Sequence, residues 1–167
     1  MLLCGTQMPE PLLYGGTGSE SASPHLPDAP PERFESGTLN IAGICGLREG
    51  IRYVAEHRAA IQANESALAV WLKTRLAAID GVTVYGEPQT PCGLFSFNAD
   101  GWDSETLAAA LAAQNIAVRA GLHCAPLAHR SVGTEAQGTV RVSFGWASRQ
   151  AEAERFAQVL EKILRSK

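Results

Sequence analysis

Three short stretches of the chain carry residue types able to do chemistry. Cys124 follows Gly121-Leu122-His123 and precedes Pro126 and His129, with Arg119 just upstream. A thiol attacks as its thiolate, so it needs access together with cationic or imidazole neighbours, and this segment offers such neighbours. The competing reading is a small apolar side chain buried in a loop. A third reading, metal binding by His123, Cys124 and His129, is weakened because adjacent ligands rarely face one ion and no second ligand pair occurs elsewhere. Arg141 lies in Val140-Arg141-Val142-Ser143-Phe144, an apolar alternation in which an unpaired buried guanidinium is expensive. Turned inward it would grip a ligand carboxylate through two parallel hydrogen bonds; turned outward it is a polar-side residue, and the pattern leaves both open. Gly15-Gly16-Thr17-Gly18-Ser19 offers backbone N–H groups and hydroxyls to an anion. It has no Lys and no helix start, so it is not a Walker loop, and it also reads as a flexible turn.

These residues need elements to hold them. Six of the nine prolines fall before residue 32, the first Lys or Arg is Arg33, and no apolar period is present there. Residues 1–36 therefore read as an extended arm, and residues 37–167 as the folded domain. Thr38 or Asn40 can cap a helix carrying Ile41, Ile44, Leu47, Ile51 and Val54 on one face. A second helix is expected from about Arg58 to Ile79, stopped by Asp80-Gly81. Strands are expected at Val82–Tyr85 and Gly93–Asn98, joined by a turn over Gly86–Pro91. A helix opened by Asp103 or Ser104 should reach Asn115, with a strand at Ile116–Arg119. Residues 120–138 show no period and form a long loop. A strand at Thr139–Phe144 and a helix capped by Ser148, with Phe156, Val159, Leu160, Ile163 and Leu164 inward, complete the chain. The order predicts an α+β fold, a short sheet with helices packed on one face.

Composition narrows the function. Seventeen acidic against fourteen basic residues give a net charge of −3, which offers no basis for holding nucleic acid or an anionic membrane. No apolar run approaches the roughly 20 residues of a membrane span, and the first residues lack a signal-peptide pattern, so a cytoplasmic protein is expected. The four cysteines, Cys4, Cys45, Cys92 and Cys124, form no C-x-x-C pair and are expected to be reduced. Lysine is scarce: only Lys73, Lys162 and Lys167 occur, each reading as a solvated charge on a helix surface.

The ordered strings Gly15-Gly16-Thr17-Gly18-Ser19, Arg33-Phe34-Glu35-Ser36-Gly37-Thr38-Leu39-Asn40, Val118 to His129 and Gly138 to Phe144 resemble the C-terminal part of class V aminotransferases of the cysteine desulfurase and selenocysteine lyase type. The resemblance implies the small domain of a fold-type-I enzyme that uses pyridoxal 5'-phosphate to convert L-cysteine to L-alanine, leaving the sulfur as a persulfide on an enzyme cysteine. It places Cys124 in the sulfur-accepting position, Arg141 at the substrate carboxylate and Arg119 on the frame of the same pocket. It places Gly16 and Thr17 in the turn that reaches the cofactor phosphate of a neighbouring subunit. His123 and His129 fall in the matching loop without an implied role.

The family's large N-terminal domain and its cofactor-binding lysine have no counterpart here, since no lysine follows a His or a strand end. The resemblance then implies a chain inactive alone, working as a homodimer or with a separate large-domain polypeptide, and passing sulfur to an acceptor protein. The alternative is a stand-alone sulfur-accepting or dimerisation module without its own cofactor.

Overall fold

Period-two patterning builds the sheet, and 3.6-residue patterning builds the layer that covers it. A computed structural model describes residues 8–20, 22–86 and 93–166. After a single 3₁₀ turn at Glu32–Phe34 come α1 (Ile41–Ala77), β1 (Val82–Tyr85), β2 (Leu94–Ala99), α2 (Ser104–Ala112), α3 (Pro126–Ser131), β3 (Val140–Ser143) and α4 (Gln150–Arg165). Contacts divide the chain into two compact units, Met1–Tyr53 and Val54–Lys167. The expected turn over residues 87–91, along with Cys4, Cys92 and Lys167, lies outside the described residues.

The three strands form an antiparallel sheet in the order β1-β2-β3. Val84 pairs with Phe97 and Phe97 with Val140, while Phe95 pairs with Val142. Alternation therefore aligns Val84, Phe95, Phe97, Ala99, Val140 and Val142 on one face. Onto that face pack Leu72 and Leu76 of α1, Leu107 and Leu111 of α2, and Phe156 and Leu160 of α4, all buried. Phe156 meets Phe97 edge to face, with ring centroids 6.0 Å apart. The α+β fold, a short sheet with helices on one face, is the observed architecture.

Caps fix where the helices begin. The Asn40 side-chain oxygen accepts from the Gly43 N–H at 3.0 Å, and Asp103 accepts from the Glu105 and Thr106 N–H groups. At α4 the cap is Arg149, whose N–H donates to the Glu152 carboxylate at 2.8 Å. Ser148, the expected cap, instead accepts from the Gly145 N–H at 3.0 Å and closes the preceding turn.

Four expectations are corrected. The two helices expected before residue 80 are one, because Ala55-Glu56-His57 contains no Gly or Pro to break them. Its early apolar residues Ile41, Ile44, Leu47, Ile51 and Val54 are each more than half exposed. The strand expected at Ile116–Arg119 shrinks to one bridge between Arg119 and Arg141, since Gly121, at φ 95°, turns the chain away two residues later. The long loop contains α3, started by Pro126 at its first turn. Lys73 is not solvated: only 3% of it is exposed, with its ammonium 5.9 Å from the Phe95 ring centroid. It sits between Leu72 and Leu76, at the edge of a buried stripe wide enough to take it in.

Candidate active site

The sheet's other face is polar. Ser96 pairs with Arg141 and Tyr85 with Ser96, so these side chains point away from the helices. Arg141 is thus on the polar side of its strand, yet it is half-buried because the segment 119–125 lies against that strand. Arg119 N–H donates to the Arg141 carbonyl at 3.2 Å, and Arg141 N–H returns a bond of 2.7 Å. Thr139 N–H then donates to the Gly121 carbonyl at 3.1 Å. Gly138, at φ 64°, has to be glycine on two counts, since a Cβ there would sit 2.7 Å from the Gly121 Cα. Asn98, buried, completes the support by donating to the Gly138 carbonyl at 3.1 Å and the Tyr85 hydroxyl at 3.4 Å.

This scaffold presents a thiol. Cys124 is exposed, and Arg119 Nη2 is 4.0 Å from its Sγ. His123 and Cys124 both have left-handed backbones, at φ 52° and 60°, which costs on the order of 1–3 kcal/mol for each non-glycine residue and must be held by surroundings. The holding contacts are visible. His123 Nε2 bonds the Thr139 hydroxyl at 3.3 Å, and the ring packs on His129 with centroids 5.7 Å apart. His129, buried on α3, bonds the Thr134 hydroxyl through Nδ1 at 2.8 Å. Burial, with smaller contributions from Arg141, His129 and Arg119, holds the His123 pKa below 6.5, so its ring is neutral at pH 7. His123 Nδ1 and Arg141 Nε are buried without a hydrogen-bond partner among the described residues. Among the described residues, no three His, Cys, Asp or Glu side chains are grouped so that they could hold a metal ion.

The structure places Arg119 at the Cys124 sulfur and bridges the Arg119 backbone to that of Arg141. Thr139 and Thr134 carry the support and were not singled out; no local pattern marks them, because Thr139 meets His123 only through the fold. The chemistry available is an exposed thiol with the Arg119 guanidinium 4.0 Å from its sulfur, and a second arginine, Arg141, whose backbone is paired with that of Arg119.

Gly16 and Thr17 belong to the other unit. The Gly16 carbonyl accepts from the Gly37 N–H at 2.8 Å, and Thr17 Oγ1 bonds Ser19 Oγ at 2.7 Å. Gly18 takes φ 80°, and the turn lines a cleft of about 400 Å³ with Tyr14, Glu20, His25 and Arg33. Arg33 there is bonded to Glu10 and Asp28.

Among the described residues, neither lysine fits a covalently anchored pyridoxal phosphate. Lys73 packs on Phe95, on the helix-covered face, whereas Arg141 is on the opposite face of the same sheet. Lys162 is exposed on α4.

The sequence pattern of the aminotransferase class-V family matches residues 4–156. The chain belongs to that family. It is 41% identical to a probable cysteine desulfurase of Mycolicibacterium paratuberculosis over 139 residues, covering 83% of this chain and 20% of that protein. With a probable cysteine desulfurase of Methanothermobacter thermautotrophicus it shares 34% over 172 residues, covering 97% and 42% respectively. Its fold matches the apo cysteine desulfurase of Thermococcus onnurineus with a TM-score of 0.78 and 35% identity, over 94% of this chain and 40% of that one. The chain thus spans less than half the length of these relatives.

Proposed function

We propose that this chain is the C-terminal portion of a pyridoxal-phosphate-dependent cysteine desulfurase, contributing the sulfur acceptor and the carboxylate grip. One observation carries the reading: exposed Cys124 with Arg119 at its sulfur, and Arg141 bridged to Arg119 on the same face. In this role Arg141 binds the substrate carboxylate, Arg119 frames the pocket beside the sulfur, and Cys124 ends the cycle as a persulfide. Thr17 and Gly16 are the cofactor-phosphate turn of this reading, supported by the family match that includes them.

On this reading the 167 residues are inactive alone, a reading supported by Lys73 packing on Phe95 and Lys162 standing exposed on α4, and the same reading assigns them a homodimer or a separate large-domain polypeptide as partner, in the cytoplasm. Purified chain given pyridoxal phosphate and L-cysteine should form no alanine, and borohydride should trap no cofactor on a lysine. Alanine formation would overturn the claim of inactivity. Given cysteine hydropersulfide instead, the chain should take up one extra sulfur at Cys124 in preference to Cys45, read by peptide mass mapping. Equal labelling of the two thiols would count against Cys124 as the acceptor.

A further inference from the structure

Cys124 is displayed by a segment whose conformation is unfavourable for its own residues, so something outside the segment must set it. Two consecutive non-glycine residues, His123 and Cys124, stand at positive φ. The backbone bonds of Arg119 and Gly121 tie down the start of the segment, and at its end the Ala125 N–H donates to the Leu122 carbonyl at 2.9 Å while the Ala125 carbonyl accepts from the His129 N–H at 3.2 Å. At the end, the side-chain tether is His123, through Thr139 on β3 and through its packing on His129. His129 is itself fixed to Thr134, so the chain of contacts runs from buried structure to the residue adjoining the thiol.

We propose that His123 is a positioning residue for Cys124, setting how the thiol is presented through its bond to Thr139 and its packing against His129. This rests on the reading of Cys124 as the sulfur acceptor and adds the residues that make it one. The groups facing His123 are Arg141 of β3, Arg119 of its own segment and His129 of α3; from α2, Glu105 approaches the segment at Gly121. Two cations and an imidazole surround the ring, so a proton added to His123 meets repulsion on several sides and loosens the tether. The buried Nδ1, which has no partner among the described residues, gives a protonated ring nothing to donate to.

The tether is tested on the full chain with iodoacetamide, which reports thiol presentation whether or not sulfur is ever transferred. Carbamidomethylation of Cys124 is followed by peptide mass mapping from pH 5 to 8, with Cys45 in the same sample as reference. Thr139→Val should slow Cys124 labelling about three- to tenfold at pH 7.5 with the Cys45 rate unchanged, and Thr139→Ser should restore it. The wild-type profile should show a second inflection below pH 6.5, absent in His123→Gln. Wild-type rates in Thr139→Val and an unaltered profile in His123→Gln would overturn the proposal. So would a loss in Thr139→Val that serine fails to rescue while the circular dichroism spectrum stays native. If the hydropersulfide fails to load Cys124 while these labelling effects appear, the functional reading falls and the tether stands.

Discussion

The two faces of one three-stranded sheet are built on different physical terms. The face carrying Phe95, Phe97, Val140 and Val142 is filled by three helices, and its energy comes from apolar area withdrawn from water and from close packing. The face carrying Ser96, Asn98 and Arg141 is covered by a loop and a short helix, and is held by individual hydrogen bonds at Gly121, Gly138, Thr139 and His123. Apolar packing is redundant, with many contacts sharing the load. The polar face works bond by bond, so it can display a residue in a strained backbone and still leave polar atoms unsatisfied. The division puts stability on one side of the sheet and chemistry on the other.

That contrast can be broken from either side. Phe97→Ala empties the centre of the apolar face, where Phe97 is fully buried, and should destabilise the chain by about 3–5 kcal/mol in urea unfolding. In the fraction that stays folded, Cys124 labelling should remain at the wild-type rate, because no bond on the polar face is touched. A Cys124 rate that fell in step with stability would show the two faces to be one cooperative device. Gly138→Ala attacks the other side. It forces a Cβ against the Gly121 backbone and a side chain at φ 64°, and should cost about 2–3 kcal/mol. Here the expected signature is the reverse: Cys124 reactivity should change more than the loss of stability accounts for.

The same division explains what sequence reasoning could reach. β1, β2 and β3 were readable because Val82, Val84, Phe95, Phe97, Val140 and Val142 alternate, and α2 and α4 because Leu107, Leu111, Phe156 and Leu160 recur at helical spacing. Period alone reported the packed face. It misjudged α1, where two apolar runs were read as two helices although nothing between them ends a helix. It also misjudged Lys73, whose burial depends on what β2 places above it. On the polar face, Cys124, Arg119 and Arg141 were found through the motif they share with a family, not through any period. Thr139, Thr134 and the tether at His123 stayed hidden because each is a contact between residues that only the fold makes neighbours. Pro126 was a usable signal for α3, since proline suits the first turn of a helix.

A gentler probe separates the faces by pH. His123 has its folded-state pKa below 6.5, so the unfolded chain binds its proton more readily than the folded one. The stability this contributes is fully present above pH 6.5 and is lost as pH falls through the folded value. Urea midpoints should therefore drop between pH 7.5 and 5.5, by less than one proton's worth, and His123→Gln should drop less over the same interval. Equal slopes in the two proteins would mean that the polar face does not sense this proton.

The smallest effect is expected where neither face is involved. Arg75 of α1 and Glu161 of α4 form an ion pair at the outer edge of the helix layer, with the Arg75 side chain about half exposed at 49%. Water screens such a pair, and Glu161 keeps a second partner in Arg165 at 3.8 Å, so Arg75→Ala should lower stability by only about 0.2–1 kcal/mol. Raising salt to 1 M should erase most of the difference between wild type and variant, since roughly 3 Å is then the screening length. Cys124 labelling should be unchanged at either salt concentration. If it moved, coupling would have to pass from the helix layer through the sheet to the loop beyond it. The separation of packing from chemistry would then be a property of the burial pattern alone, not of the energetics.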